Sequence, residues 1–192
     1  MTPRFQYDFI DGQFADNATV NFADLAVPTD AQIDLDLMVS RPSQWTEAVI
    51  ARRPHLAVFH LECDEDPAAS LAKIKAAGIK TGLAINPATP IEHLQPFVPH
   101  LDHVLIMGVA AGYAGQAFEP SVLSKIEQVK IIAPLAEIGV DGGVNLEDIA
   151  AIATAGADIA YVNSVLFGAA DPVAQYHALT QKLNPTLIQT AA

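Results

Sequence analysis

The sequence has little cysteine and little positive charge, and it has no long apolar run. Cys63 is the one cysteine among 192 residues, so no disulfide can form within the chain and a reducing, cytoplasmic location is expected. Ten Lys and Arg against 22 Asp and Glu give a net charge of −12, which argues against nucleic-acid binding because that binding depends on basic patches. No apolar run reaches the roughly 18 residues of a membrane span, and the N-terminus lacks the apolar core of a signal peptide.

Two cofactor motifs are also absent. No G-x-G-x-x-G follows the first strand-like run, which disfavours a dinucleotide-binding open sheet. No H-x-H or H-E-x-x-H spacing indicates a zinc site. The chain is instead 51% hydrophobic and 17% charged, over a length that fits one domain, residues 1–192, with a sizeable core.

Seven short strand-like runs alternate with helical segments. Most are nearly continuous in apolar residues, which is typical of parallel strands covered on both faces. The alternation predicts βαβ units in a parallel sheet. Polar residues gather where the runs end, which favours a (β/α) TIM-type barrel over an open doubly wound sheet, although a complete barrel has eight strands. The predicted strands are Phe5–Ile10, Ile33–Val39, Leu56–Glu62, Thr81–Asn86, Val104–Val109, Ile138–Val140 and Ile159–Val162.

Helices are predicted where a cap residue precedes proline, a pairing that recurs along the chain. In addition, Asn145 is expected to cap a helix over residues 146–155 that Gly156 ends. The link from Gly12 to Gln32 is doubtful, with a short helix over residues 19–27 as one interpretation. The remaining predicted helices run from Pro42 or Ser43 to about Arg53, from Pro67 behind the cap Asp66 to Gly78, from Pro90 to about Val98, from Pro120 to Lys130, and from Pro172 to before Asn184.

Three aspartates stand at three different strand ends. Two of the three, Asp8, Asp36 and Asp141, could act as base and acid on opposite sides of a substrate carbon, as a stereoinversion requires. Together, the three acids would repel one another unless a cation holds them. A loop-capping role is the alternative for each.

Histidine and glycine offer further candidates. His60 shares a strand face with Glu62 and could bind a substrate hydroxyl or that carboxylate, with a structural role as the alternative. Gly142 and Gly143 stand before a helix start that favours phosphate, unless they form a plain turn. Residues 108–116 could be a lid, a phosphate cradle or a connector. The other histidines, interpreted as solvated, are His55, His93, His100, His103 and His177.

Several stretches resemble the ribulose-phosphate 3-epimerase family of phosphate-binding (β/α)8 barrels. Residues 107–118, M-G-V-A-A-G-Y-A-G-Q-A-F, resemble the family loop M-T-V-N-P-G-F-G-G-Q-x-F, and residues 140–145, V-D-G-G-V-N, are identical to a family signature. Residues 83–90, 8–14 and 34–38 are similar to A-L-N-P-x-T-P, D-V-M-D-G-x-F and D-V-H-L-M. The alignment of these motifs begins at the second family strand, so the first βα unit is expected to have no counterpart, which would account for the missing eighth strand.

The resemblance implies an enzyme that interconverts D-ribulose 5-phosphate and D-xylulose 5-phosphate. One aspartate removes the C3 proton, a second returns a proton on the other face, and a divalent metal stabilises the enediolate. These aspartates fall on Asp8 and Asp141, which also bind the metal in the family. Two further family ligands are histidines and fall on Gln6 and Asp36, so the site is all-oxygen and suits Mg²⁺ or Mn²⁺ better than Zn²⁺.

The resemblance also implies the substrate contacts. Asn163 stands where the family has glycine, and Ala114 replaces one glycine of its loop. Family methionines that cover the sugar fall on Ile10, Met38 and Met107. Together with His60, the expected substrate and phosphate contacts are Met38, Met107, Gly112, Tyr113, Ala114, Gly115, Gly142, Gly143, Asn163 and Ser164.

Two other functions stay open. The chain could be a non-catalytic sugar-phosphate binder that has lost the metal site. A phosphosugar lyase or decarboxylase is less favoured, because Lys80 and Lys125 lie outside the strand ends. Whatever the activity, the missing strand leaves unpaired edges that a partner subunit or an N-terminal segment would cover, so a homo-oligomer is expected.

Overall fold

The described part of the chain forms one seven-stranded parallel sheet with helices on its outside. The computed structural model describes residues 4–19, 30–113 and 115–183. The strands pair in chain order, and all seven predicted strands are confirmed with ends that shift by at most two residues. They are β1 Arg4–Ile10, β2 Gln32–Met38, β3 Leu56–His60, β4 Lys80–Ile85, β5 His103–Met107, β6 Glu137–Asp141 and β7 Ile159–Tyr161.

The sheet is rolled into a nearly closed barrel. Arg4 at the start of β1 donates hydrogen bonds to Glu137 of β6, and Tyr161 of β7 donates one to Asp34 of β2. Strands at the two ends of the sheet can share such bonds only when the sheet curves back on itself. Among the described residues, β1 pairs only with β2 and β7 only with β6, so an opening that we call the seam separates β1 from β7.

Apolar side chains pack on both faces of the rolled sheet. Along β3, Ala57 and Phe59 face the outer core under the helices, whereas Leu56 and Val58 face a smaller cluster inside the barrel. This two-residue alternation of buried side chains explains why the strands are nearly continuous apolar runs. The barrel predicted from the sequence is confirmed, and the open doubly wound sheet is excluded.

Six α-helices and two 3-10 helices lie among the described residues. The helix predicted from Pro90 to about Val98 is wrong. Pro96 and Pro99 lack the N–H that a continuous helix would use, so the segment folds as two short 3-10 helices. The helices are α1 Pro42–Arg52, α2 Ala68–Ala76, α3 Val122–Ile132, α4 Ile149–Ala155, α5 Ser164–Phe167 and α6 Pro172–Leu183, with 3-10 turns at Ile91–Leu94 and Val98–His100.

The helix that follows β6 begins later than predicted but ends where it was expected. Oδ1 of Asn145 accepts hydrogen bonds from the backbone N–H groups of Glu147 and Asp148, but the regular helix begins only at Ile149. Gly156 ends it in the left-handed conformation with φ 109°, as predicted. Except for Thr19, the doubtful residues 19–27 lie outside the described residues, as does Ala114.

His103 is the clearest correction among the histidines. It was expected to be solvated, but it is the first residue of β5 and is 1% exposed. Its Nδ1 donates to a carboxylate oxygen of Glu137 at 3.1 Å. Gly139 makes room for this ring, since a Cβ at that position would stand 2.6 Å from His103 Nε2.

The structure contains no helix in residues 4–19, 30–113 or 115–183 with the length and apolar character needed to cross a membrane.

Candidate active site

Three carboxylates converge at the C-terminal ends of the barrel strands. Asp8 comes from β1, Asp36 is its register partner on β2, and Asp141 ends β6. One oxygen from each lies within 4.8 Å of the others. Parallel strands bring their carboxyl ends to one face of the barrel, which is why residues far apart in sequence meet here.

Gln6 bridges two of these acids. Its side-chain Nε2 donates to Oδ1 of Asp8 at 2.9 Å and to Oδ2 of Asp141 at 2.6 Å. Gln6 stands two residues before Asp8 on β1, so both side chains point into the barrel. One neutral amide therefore holds two carboxylates that would otherwise repel each other.

The electrostatics of the group favour protonated carboxyls. Burial and the charges of its neighbours Asp8 and Asp36 raise the pKa of Asp141 to about 7. Burial and the charge of Asp36 raise the pKa of Asp8 to about 6, and the hydrogen bond from Gln6 opposes both shifts. Asp8 is more exposed to the solvent in the cavity, which fits its smaller shift.

His60 supports Asp36 from below. Nε2 of His60 donates to Oδ1 of Asp36 at 2.9 Å, and both side chains are fully buried. Burial alone would lower the pKa of His60, but the charge and hydrogen bond of Asp36 outweigh it and raise the pKa. His60 is not among the residues that line the cavity, and its ring lies between Asp36 and Glu62, whose carboxylate is 3.9 Å from Nδ1. A direct contact with substrate stays a prediction.

The site fits a divalent cation. Oδ2 of Asp36 is buried and has no hydrogen-bond partner among the described residues. Such an orphaned carboxylate oxygen beside two further carboxylates is a costly arrangement unless a cation completes it. Carboxylate and amide oxygens suit Mg²⁺ and Mn²⁺. The group formed by Asp8, Asp36 and Asp141 could therefore hold a metal ion. Gln6, the fourth predicted ligand, turns its side-chain N–H groups towards Asp8 and Asp141.

A cavity of about 220 Å³ opens beside the carboxylates. Most of the candidate substrate residues line it, whereas Asp36 and His60 are fully buried and do not. The candidate residues that line it are Asp8, Met38, Met107, Gly112, Tyr113, Gly115, Asp141, Gly142, Gly143, Asn163 and Ser164, together with Ile10.

The glycine pair after β6 lets two loops pack tightly. Gly142 and Gly143 have φ values of 102° and 70°, which side chains rarely adopt. A Cβ on Gly143 would stand 2.4 Å from the backbone nitrogen of Phe118, and one on Gly142 would stand 2.6 Å from a methyl group of Val109. The pair therefore both lines the cavity and seats the glycine-rich loop that follows β5.

The loop after β1 covers the same cavity. Nδ2 of Asn17 donates to the carbonyl oxygen of Gly112 at 3.0 Å, and the hydroxyl of Tyr113 donates to the carbonyl oxygen of Asp16 at 3.2 Å. The sequence left this link doubtful, and no motif in it predicted the contact.

Some residues that line the cavity were missed by the sequence analysis. Tyr161 and Val162 could have been found, because they lie at the end of a predicted strand, where the other candidates were sought. The lining residues not predicted are Asn17, Thr19, Val109, Ala110, Ala111, Val144, Tyr161 and Val162.

Neither lysine considered for lyase chemistry reaches the cavity. Lys80 begins β4, at the opposite end of the barrel from the carboxylates. Nζ of Lys125 donates to three carbonyl oxygens, those of Asn86, Pro87 and Thr89, at 2.8, 2.8 and 2.6 Å. Its ammonium group therefore fixes the loop after β4 rather than facing a substrate.

Solved structures with the same fold include several phosphosugar enzymes. 3-Hexulose-6-phosphate synthase from Salmonella typhimurium superimposes with a TM-score of 0.64 at 14% identity, over 80% of this chain and 74% of that one. KGPDC from Streptococcus mutans gives a TM-score of 0.66 at 10% identity, over 81% of this chain and 74% of that one. At these identities the likeness establishes the barrel fold alone.

Sequence relatives are closer. The ribulose-phosphate 3-epimerase of Mycobacterium leprae is 34% identical over 182 residues, which cover 91% of this chain and 81% of the relative. The cytoplasmic isoform of ribulose-phosphate 3-epimerase from Oryza sativa subsp. japonica is 34% identical over 172 residues, with 86% and 75% covered. The family profile "Ribulose-phosphate 3 epimerase family" matches residues 3–167. The chain belongs to the ribulose-phosphate 3-epimerase family.

Proposed function

We propose that this chain is a carbohydrate epimerase that interconverts D-ribulose 5-phosphate and D-xylulose 5-phosphate. The observation that carries the proposal is the placement of Asp8 and Asp141. They come from β1 and β6, line one cavity, and are joined through the amide of Gln6. Two carboxyl groups with raised pKa values of about 6 and about 7 are suited to exchange protons near neutral pH.

The two aspartates would act on opposite faces of C3. One carboxylate accepts the C3 proton, and the electron pair of the broken C–H bond delocalises towards the C2 oxygen as an enediolate. The other aspartate, protonated, donates its proton to the opposite face of C3 and so inverts the centre. The roles of the two aspartates exchange in the reverse reaction.

We infer that Asp8, Asp36 and Asp141 would hold Mg²⁺ or Mn²⁺, because the donor set contains only oxygen. When bound, the ion would supply positive charge that offsets the developing negative charge of the enediolate. His60 would keep Asp36 oriented, and the Gln6 amide would keep Asp8 and Asp141 facing each other.

The phosphate would lie against the backbone at the end of the cavity formed by β6 and β7. Gly142, Gly143 and Ser164 line that end, and the two glycines expose backbone there without a Cβ. Met38 and Met107 form an apolar part of the cavity wall, which would exclude water from the sugar carbons. Asn163, in place of the family glycine, would narrow the phosphate end.

A coupled assay for xylulose 5-phosphate tests the proposal. The purified chain would be assayed with Mn²⁺, with Mg²⁺ and after chelation, and in D₂O the product would carry deuterium at C3. Asp141→Asn and Asp8→Asn should each lower kcat about 10²- to 10⁴-fold, whereas Asp30→Asn, at an exposed turn before β2, should leave it unchanged. Absence of turnover with every divalent cation tested would exclude the proposed epimerase activity.

The second candidate is a sugar-phosphate binder without activity. It is favoured by Gln6, which presents N–H donors to both aspartates where the family has a ligand histidine. This candidate predicts that a sugar phosphate raises the melting temperature without any dependence on metal and without turnover.

We further propose one barrel domain over residues 1–192, a small sugar phosphate as the partner, and a homo-oligomer in the cytoplasm. The unpaired edges at the seam support the oligomer, because exposed strand edges favour association.

A further inference from the structure

The proposed catalytic aspartates belong to opposite sides of the seam. Asp8 lies on β1, which forms one edge of the sheet, and Asp141 lies on β6, next to the other edge strand β7. No ladder of backbone hydrogen bonds joins β1 to β7 within the described residues. The distance between the two carboxylates therefore depends on side-chain contacts across the seam.

A cluster of polar side chains crosses the seam; four of its residues lie in the N-terminal halves of their strands, and Tyr161 reaches them from the C-terminal end of β7. The guanidinium of Arg4 donates to both oxygens of Glu137, at 3.0 and 2.8 Å, and its Nε donates to Asp34 at 2.5 Å. Asp34 also accepts from the hydroxyl of Tyr161 at 2.8 Å, and Glu137 accepts from His103 at 3.1 Å. These five residues, the seam cluster, come from β1, β2, β5, β6 and β7.

The strand register connects this cluster to the active site. Asp8 stands four residues after Arg4 on β1, and Asp141 stands four residues after Glu137 on β6. In a strand, residues four apart share a face and are separated by about 13 Å. An ion pair between Arg4 and Glu137 thus fixes the register of the two strands, so that Asp8 and Asp141 lie opposite each other four residues further along.

The geometry of the pair suits this role. A bidentate Arg–carboxylate contact fixes direction as well as distance. The Arg4 side chain is 20% exposed and that of Glu137 is 33% exposed, so solvent screens the ion pair only in part. The pKa of Glu137 is lowered, chiefly by the hydrogen bond from His103 and also by that from Arg4, which keeps the carboxylate ionised.

We propose that the Arg4–Glu137 ion pair is a positioning device: it sets the register of β1 against β6 across the seam and thereby the separation of Asp8 and Asp141. The influence of the ion pair on metal binding and catalysis rests on the proposed function. Its influence on the register of β1 and β6 is independent of that function.

Hydrogen exchange tests the mechanical part on the purified full chain. In Arg4→Met and in the nearly isosteric Glu137→Gln, amides of β1 and β7 should exchange faster, while those of β3 and β4 keep their protection. Lys75→Met is the matched control, because it removes an ion pair with Asp102 at 3.0 Å that does not cross the seam. Unchanged exchange in β1 and β7 of both variants would overturn the proposal.

Titration with Mn²⁺ alone, followed by electron paramagnetic resonance, tests the coupling. Arg4→Met and Glu137→Gln should each raise the Kd on the order of tenfold, with the double variant no worse than either single one. Arg4→Lys keeps the charge and should recover part of the affinity, and Lys75→Met should match the parent protein. Parent-like affinity in Arg4→Met and Glu137→Gln would refute the positioning of the aspartates. A parent protein that binds no Mn²⁺ would refute the metal site of the proposed function, and hydrogen exchange alone would then decide the effect of the ion pair on the strands.

Discussion

His60 donates a hydrogen bond to Asp36 across adjacent strands, and neither side chain touches solvent. Asp36 is one of the proposed metal ligands, so the imidazole would act on the metal through that carboxylate. Outer partners of this kind orient a ligand, and their removal commonly changes metal affinity by about 10- to 100-fold.

The first prediction follows from this contact. His60→Phe leaves Asp36 without its donor and should raise the Mn²⁺ Kd by roughly 10- to 100-fold. His60→Gln retains an N–H donor and should recover much of the affinity. His93→Gln, at an exposed position, is the control. If His60 instead binds substrate, His60→Phe should raise KM and leave the Kd for Mn²⁺ unchanged.

The second prediction concerns pH. The pKa of Asp8 is raised to about 6 in the folded protein from an ordinary value of 3.8. A raised carboxyl pKa contributes stability that is present below the unfolded pKa and is lost as pH rises through the folded pKa. The metal-free protein should therefore melt at lower temperature at pH 8 than at pH 5.

Asp8→Asn removes the charge and should make the metal-free protein melt higher than the parent at pH 8, with a smaller difference at pH 5. The same variant should lose most of the stabilisation that Mn²⁺ gives the parent. Calorimetry at both pH values checks the two effects. A metal-free variant that melts below the parent at pH 8 would show that repulsion at Asp8 is not the dominant effect.

The third prediction concerns the packing inside the barrel. A Cβ at Gly139 would stand 2.6 Å from His103 Nε2 and 2.9 Å from a ring carbon of Tyr161. Gly139→Ala should cost about 1–3 kcal/mol in the free energy of unfolding. In a His103→Ala background the added methyl has room, so the cost should shrink. Denaturant unfolding of the four proteins in this cycle measures the difference, and equal costs in both backgrounds would contradict the clash.

The fourth prediction concerns the loop over the cavity. Asn17→Ala removes the hydrogen bond to the carbonyl oxygen of Gly112. If the loop contact contributes about 0.5–1.5 kcal/mol to the free energy of substrate binding, its loss should raise the KM for ribulose 5-phosphate roughly two- to tenfold. The chemistry is untouched, so kcat should change less. Gln13→Ala, exposed in the same loop, is the control. A fall in kcat at constant KM would place Asn17 in the chemical step instead.

The strands and the meeting of the three aspartates were predictable from the sequence. Each strand is covered on both faces, so it forms a continuous apolar run, and parallel strands deliver their final residues to a common face. The helix predicted from Pro90 does not form, because Pro96 and Pro99 interrupt the segment that the start signal at Pro90 opens.

The pairing of polar residues was not predictable. His60 shares a strand face with Glu62, and its Nδ1 lies 3.9 Å from that carboxylate, but the hydrogen bond of its Nε2 goes to Asp36, 24 residues earlier. Likewise, nothing local in the sequence connects Arg4 with Glu137, which are 133 residues apart. Which side chains oppose each other depends on how far the sheet curves, and no short-range pattern carries that information.

These long-range contacts have a consequence for assembly during folding. Neighbouring βα units can form from short loops, whereas joining β1 to β6 closes a loop of more than a hundred residues and carries the largest entropic cost. We therefore expect closure of the barrel to be the last step and the pocket to be completed with it. In refolding experiments, helical circular dichroism should recover first and the capacity to bind Mn²⁺ should follow with the slowest rate.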